Sequence, residues 1–255
     1  AIDDSLEPSS GQGGTVVQVF GSNLLGGGSS VERVVLAGHE ATLMSPLNDF
    51  VLKFMASHID GAQAPGPAVA YMDSGAIVTT ANTFTYLSPG FVTSVTPATG
   101  HEGTRVTVRG ANLLAGGSSV VSVLLAGVEA SVTSDSSTLV EVVAAVSAAK
   151  TGDIVLTSDL GGQITSEGTW EYLQPGRVTS VTPGAGQYGT VVTIDGVGIL
   201  GGGSEAFSVT LAGVEVQSIE SSSEERIEVI AANAEAASGD IIIVADSGAI
   251  VRAAG

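Results

Sequence analysis

Four short strings in this chain carry residue types that do chemistry elsewhere. Gly184-Ala-Gly186-Gln-Tyr-Gly189 fits G-x-G-x-x-G, the spacing that brings a dinucleotide pyrophosphate to a helix N-terminus. That chemistry needs a helix after the turn, and Val191 to Ile194 alternates like a strand. A tight turn is the expectation. Ser147-Ala-Ala-Lys150 fits S-x-x-K and Lys150-Thr151-Gly152 fits K-T-G, both signatures of serine β-lactamases. One lysine cannot fill two places in such a site, and no S-D-N string accompanies them. Glu224-Glu225 is a carboxylate pair, but neighbours on a strand point to opposite faces and cannot share acid–base work. Zinc needs three or four converging ligands. His39, His58 and His101 fall at unrelated places, only His101-Glu102 offers a neighbouring pair, and all three read as lone, exposed histidines. Asp60-Gly61 and Asp195-Gly196 read as turns, because no D-x-D-x-D-G calcium loop surrounds them. No G-x-S-x-G elbow occurs. The expectation is a protein that is not an enzyme, with no catalytic, cofactor-binding or metal residue and no cofactor.

Composition narrows the classes further. The 255 residues carry 8 Lys plus Arg against 26 Asp plus Glu, a net charge of −18, so a nucleic-acid partner is not expected. At 44% hydrophobic and 13% charged the chain is too apolar for disorder and long enough to bury a core. With no cysteine there is no disulfide, thiolate zinc site or cysteine nucleophile. Residues 74–100 are uncharged, but their Ser, Thr and Asn with Pro89 and Pro97 suit strands and turns, not a membrane span. The opening Ala-Ile-Asp-Asp shows no basic region leading into an apolar core, so no signal peptide is expected in it.

The elements that would position any site come in three copies. Val92-Thr-Ser-Val-Thr-Pro97 recurs letter for letter as Val178 to Pro183. Leu-Ala-Gly begins at Leu36, Leu125 and Leu211, at spacings of 89 and 86 residues. Pro8, Pro97 and Pro183 keep those spacings, as do the pairs Gly14-Thr15, Gly103-Thr104 and Gly189-Thr190. Gly21, Gly110 and Gly196 follow, then Gly27-Gly28, Gly116-Gly117 and Gly202-Gly203. The expected units are 1–88, 89–175 and 176–255, with net charges of −6, −5 and −7. Acidity therefore belongs to the unit, as a solvated surface that keeps neighbours apart.

Each unit reads as β. In the second, runs at Val92 to Thr96, Thr104 to Arg109, Val120 to Leu125 and Ala130 to Thr133 carry apolar alternation or apolar stretches. Leu139 to Ala144, Asp153 to Thr157 and Thr169 to Leu173 complete seven, with turn residues between them. Val142 to Ala149 is read as a strand running into a loop. Seven short strands suit a two-sheet antiparallel sandwich. Phe84-Thr-Tyr86 and Trp170-Glu-Tyr172 put both rings of each pair on one face, packed on the core or open as a carbohydrate platform.

This order, from the Val-x-Pro strand and Gly-Thr turn through Gly-x-Asn-Leu and the Leu-Ala-Gly hairpin to the aromatic-x-Tyr close, resembles the IPT/TIG domain. The resemblance covers the chain in three copies. It implies an all-β fold of three tandem immunoglobulin-like antiparallel β-sandwiches arranged as a rod, in an extracellular or cell-surface setting. Members in receptors often carry cysteines and members in transcription factors carry basic loops; this chain has neither.

Tyr86-Leu-Ser-Pro89-Gly90 and Tyr172-Leu-Gln-Pro175-Gly176 leave little slack between units. Asp246 to Val251 repeats Asp73 to Val78 letter for letter, and no counterpart of Phe84 to Tyr86 follows. The third unit is expected to lack its closing strand, as a segment of a longer array or as the acceptor of a strand from a neighbour. The expected role is a non-catalytic structural or adhesion segment, a semi-rigid spacer in a cell-surface array or filament. Its expected partners are neighbouring repeats of the same or an identical chain, with strand complementation at the end of the third repeat, or a surface protein or glycan. A receptor ectodomain fragment and a carbohydrate-associated module of a large enzyme are the alternatives. Copy-specific exposed apolar residues would favour the receptor, and Met44, Phe50, Phe54 and Met55 are the nearest to such a set. No Asn-x-Ser/Thr sequon is present, but Ser29-Ser30 and Ser118-Ser119 offer hydroxyls for O-linked sugars.

Overall fold

A computed structural model describes residues 5–255, all strands and connections with no helix among them. The first repeat forms β1 (Ser5–Glu7), β2 (Ser10–Gly11), β3 (Val16–Phe20), β4 (Val31–Leu36), β5 (His39–Leu47), β6 (Val51–Met55), β7 (Gly66–Met72) and β8 (Ile77–Tyr86). The second forms β9 (Phe91–Thr96), β10 (Thr99–Gly100), β11 (Arg105–Ala111), β12 (Val120–Leu125), β13 (Val128–Asp135), β14 (Leu139–Val143), β15 (Lys150–Ser158) and β16 (Gln163–Tyr172). The third forms β17 (Arg177–Thr182), β18 (Val191–Val197), β19 (Ala206–Leu211), β20 (Val214–Glu215), β21 (Ser218–Ser222), β22 (Arg226–Ile230), β23 (Ile241–Ala245) and β24 (Ile250–Ala253).

Strand pairing repeats with the sequence. The order is β1-β3-β6-β5-β4-β7-β8-β2 in the first repeat and β9-β11-β14-β13-β12-β15-β16-β10 in the second. Strand β5 pairs with β4 through His39 to Ala41 and with β6 through Thr42 to Leu47, so it passes from one sheet of the sandwich to the other. In the third repeat that strand is broken into β20 and β21, leaving two four-stranded sheets, β17-β18-β22-β21 and β20-β19-β23-β24. Strand β16 runs unbroken from Gln163 to Tyr172, whereas β24 stops at Ala253. Among the described residues the third repeat shows no counterpart of the aromatic half of β8 and β16. It also has no counterpart, among the described residues, of β2 and β10, which pair with that half in parallel.

Burial alternates along the strands and gives three hydrophobic clusters, one in each repeat. Phe84, Tyr86, Trp170 and Tyr172 are fully buried, each pair edge to face at 5.1 and 5.5 Å between centroids. The rings are core, and no aromatic platform faces solvent there. A large apolar side chain buried so completely contributes roughly 1.5–3 kcal/mol.

The Leu-Ala-Gly tripeptide is a two-residue hairpin turn. Leu36 pairs with His39 across Ala37 and Gly38, which have φ of 46° and 89°. Ala126 and Ala212 repeat the left-handed conformation at 46° and 49°. Two positive φ values in succession match the right-handed twist of the flanking strands. A small side chain suffices there because Gly66, Gly152 and Gly239 press on these alanines: a Cβ on them would lie 2.8, 2.9 and 3.2 Å from the alanine Cα.

Candidate functional site at the joints between repeats

The Gly-Thr turn begins as a local device. Thr15, Thr104 and Thr190 accept, through Oγ1, the amides of Gln12, His101 and Gln187 at 3.1, 3.1 and 3.0 Å. Gly11, Gly100 and Gly186 make room for that hydroxyl, since a Cβ would lie 2.3 to 2.7 Å from it. The G-x-G-x-x-G string is this turn, and it opens β18, not a helix.

A second local device sits at the far end of each unit. Asp73, Asp159 and Asp246 accept the amides of Ser29, Ser118 and Ser204 at 2.9, 3.0 and 2.9 Å. Ser29 and Ser118 also donate their hydroxyls to Asp73 and Asp159. Gly28, Gly117 and Gly203 leave space for the carboxylates, which a Cβ would approach to 2.4, 1.9 and 2.6 Å. The Ser29 hydroxyl and amide hold the Asp73 carboxyl down at about 2. Ser118 lowers Asp159 in the same way, and the Ser204 amide lowers Asp246.

These devices meet between repeats. Val16 donates its amide to Leu160 O at 2.8 Å, and Gln163 donates to Gly13 O at 3.3 Å. One joint later Arg105 donates to Ser247 O and Ile250 to Glu102 O, both at 2.9 Å. The positions are equivalent, so the Gly-Thr turn of one repeat receives the hairpin tip that follows the clamp aspartate of the next. Glycines allow the approach: a Cβ on Gly14 would sit 3.0 Å from Gly161 O, and one on Gly103 2.5 Å from Gly248 O. The linker packs alongside, with Leu87 donating to Gly11 O at 2.7 Å and Leu173 to Gly100 O at 2.8 Å. A Cβ on Gly116 or Gly202 would meet the Leu87 or Leu173 side chain at 2.8 Å.

Side chains distinguish the two joints. Gln12, 3% exposed, donates to Gln163 O at 3.0 Å and accepts the Gly90 amide at 2.7 Å. At the same place in the next joint stands His101, also 3% exposed, with Nδ1 3.2 Å from Glu102 O. Its Nε2 is buried with no hydrogen-bond partner and lies against Gly201, where a Cβ would be 1.9 Å away. Burial lowers the His101 pKa, against the opposing pull of the Glu102 carbonyl and the Glu224 and Glu102 charges. His101 is therefore not an exposed histidine, which corrects the sequence reading. Arg252 and Glu102 close the edge of this joint with an exposed ion pair at 2.7 Å.

The remaining candidates stay apart. His39 stacks edge-on against Tyr86 at 5.4 Å. His58 packs where a Gly13 Cβ would fall, 2.4 Å from Nδ1. Ser147 donates its hydroxyl to the neighbouring Ala148 carbonyl, and Lys150 opens β15. Glu224 accepts the amides of Leu200 and Gly202 at 3.0 and 2.9 Å, which makes it a loop anchor. Asp195 pairs with Arg226 at 2.7 Å on the surface, and Gly61 takes a φ of 78°. Of the copy-specific apolar set Phe54 is core and Phe50 is 67% exposed. Among the described residues no three His, Cys, Asp or Glu side chains gather in metal-binding range.

The IPT/TIG domain family model matches residues 91–172 and 177–254. The plexin A4 full extracellular region is similar to this chain at 16% identity with a TM-score of 0.52, covering 96% of this chain and 23% of that one. A surface glycan-binding protein of Bacteroides ovatus, in complex with a mixed-linkage heptasaccharide, matches at 15% identity and a TM-score of 0.31, over 98% of this chain and 66% of that one. The I9-I11 tandem of titin matches at 12% identity and a TM-score of 0.29, over 98% and 97%. No curated protein matches the chain.

Proposed function

Because the chain belongs to the IPT/TIG domain family, we propose that it is a non-catalytic spacer whose task is to hold successive sandwiches in fixed relation. Its units run 1–88, 89–175 and 176–255. The observation that carries this reading is the joint made twice from equivalent positions, with a pair of backbone hydrogen bonds each time. Backbone pairs of this kind fix separation and rotation together, which a loose linker does not. An extracellular or cell-surface setting fits the acidity of every unit and the likeness to an extracellular region.

Small-angle scattering on paired variants tests it. Gly103 and Gly189 share the left-handed conformation at 88° and 80°, but only Gly103 faces a neighbouring repeat. Measured at low salt and high dilution, where the −18 charge keeps copies apart, Gly103→Ala should broaden the distance distribution of the chain, whereas Gly189→Ala, with the same local strain, should leave it unchanged. Equal behaviour of the two variants would sink the spacer reading.

A further inference from the structure

Each joint has two halves, and among the described residues one half of each kind is unmated. The turn half is vacant in the third repeat, where Tyr188 and Val191 are 61% and 56% exposed and a Cβ on Gly189 would meet nothing within 4 Å. The hairpin half is vacant in the first repeat, where Ile77 is 61% exposed and a Cβ on Gly75 would likewise meet nothing. Backbone polarity matches on both. Thr190 O accepts from Ala231 N, and Gly189 N donates to Ala231 O, so by alternation the Val191 amide points away from β22, as the Val16 amide does. Met72 N donates to Ala76 O, as Ala245 N does to Ala249 O, so the Ile77 amide points outward like that of Ile250.

The side chains match as well. The vacant turn, Gly189-Thr-Val-Val192, is identical to Gly14-Thr-Val-Val17, which is already mated. The vacant tip, Asp73 to Val78, is identical to Asp246 to Val251, which is mated too. Both unmated halves are therefore sequences that occupy this contact elsewhere in the same molecule.

We propose that two copies of this chain associate head to tail, the Ser74–Ile77 tip of one seated on the Tyr188–Val191 turn of the other. Val191 donates to Ser74 O and Ile77 to Tyr188 O, in the pattern of the internal joints. The contact is heterologous, so successive copies add to a closed ring or an open line. Arg252 and Glu102 have Thr79 and Tyr188 as counterparts here, so no ion pair aids the contact. Each copy carries −18, and salt strengthens the association by screening that repulsion. The proposal rests on the spacer reading, because it extends the same joint between molecules.

The chain has no cysteine, so single cysteines report specifically. Ile77→Cys and Tyr188→Cys chains, mixed and treated with a short bismaleimide, should give the 77–188 product at roughly tenfold over either self-pair. Raising the salt should increase that excess, and replacing Tyr188→Cys by Val197→Cys, exposed but away from the turn, should abolish it. Three products in collision proportions, or no product, would overturn the proposal. If the scattering variants separate as expected while the cross-link fails, only the association is lost; if the variants behave alike, the spacer reading itself fails.

Discussion

The joint between the first and second repeats and the joint between the second and third share a backbone but differ in the side chain at their middle. Gln12 spans the first, donating to Gln163 O and accepting from Gly90 N. His101 stands in the second with a bare Nε2 and reaches no backbone group of the third repeat. The opposing residue differs in step: Ala115 faces the first joint, and Gly201, its counterpart, leaves the volume the imidazole fills. One geometry thus accepts a satisfied amide or an unsatisfied ring, provided the facing residue changes with it. The first joint should be indifferent to pH, and the second should not.

The largest effect expected is from Gly201→Ala, whose methyl would overlap His101 at a left-handed φ of 58°. Overpacking costs typically 1–3 kcal/mol, and a lowered denaturant midpoint confined to the third repeat would show it. Ala115→Gly, the reverse change at the first joint, should alter the stability of the second repeat by less than about 1 kcal/mol. Next comes Gln12→Ala, which removes two part-buried hydrogen bonds, to the Gln163 carbonyl and from the Gly90 amide, and should cost about 0.5–1.5 kcal/mol for each. Hydrogen exchange at the Val16 amide should report it, with the Arg105 amide unmoved.

The pH response is smaller and has a definite sign. The folded pKa of His101 lies below the unfolded value, so the unfolded state binds the proton first as pH falls. The stability of the second joint is complete above the unfolded pKa, near 6.5, and is lost as pH falls through the lowered folded value. Protection of the Arg105 amide should fall by up to roughly tenfold per pH unit, the limit for one proton, while that of Val16 stays level. His101→Gln should flatten the profile; an unchanged slope would remove the histidine from the account. The clamp aspartates respond only at greater acidity, since their carboxyls are held below the ordinary value. The smallest effect is that of Arg252→Ala, an exposed pair worth about 0.2–1 kcal/mol and screened by salt.

Much of the architecture could be read from residue types. The run Val120 to Leu125 coincides with β12, and Leu-Ala-Gly marks a hairpin because two consecutive positive φ values favour a glycine. Strand β10 escaped because two residues, Thr99 and Gly100, carry no periodicity. The first half of β16, Gln163 to Gly168, escaped because its polar residues show no alternation. The joints left even less trace. Their bonds run between main-chain groups, and the glycines that permit them look like ordinary turn residues. His101 misled for the same reason: nothing near it in sequence reveals Gly201, which packs on it from the next repeat.

The main-chain character of the joint bears on how such a chain is made. An interface written in side chains must be re-fitted whenever a unit is duplicated, because each new neighbour presents different residues. An interface written in amides, carbonyls and a few glycines comes complete with every copy of the gene segment. A unit joined through its main chain can be inserted, deleted or exchanged without a matched set of side chains on its new neighbour, and Gln12 and His101 adjust a contact that the backbone already makes.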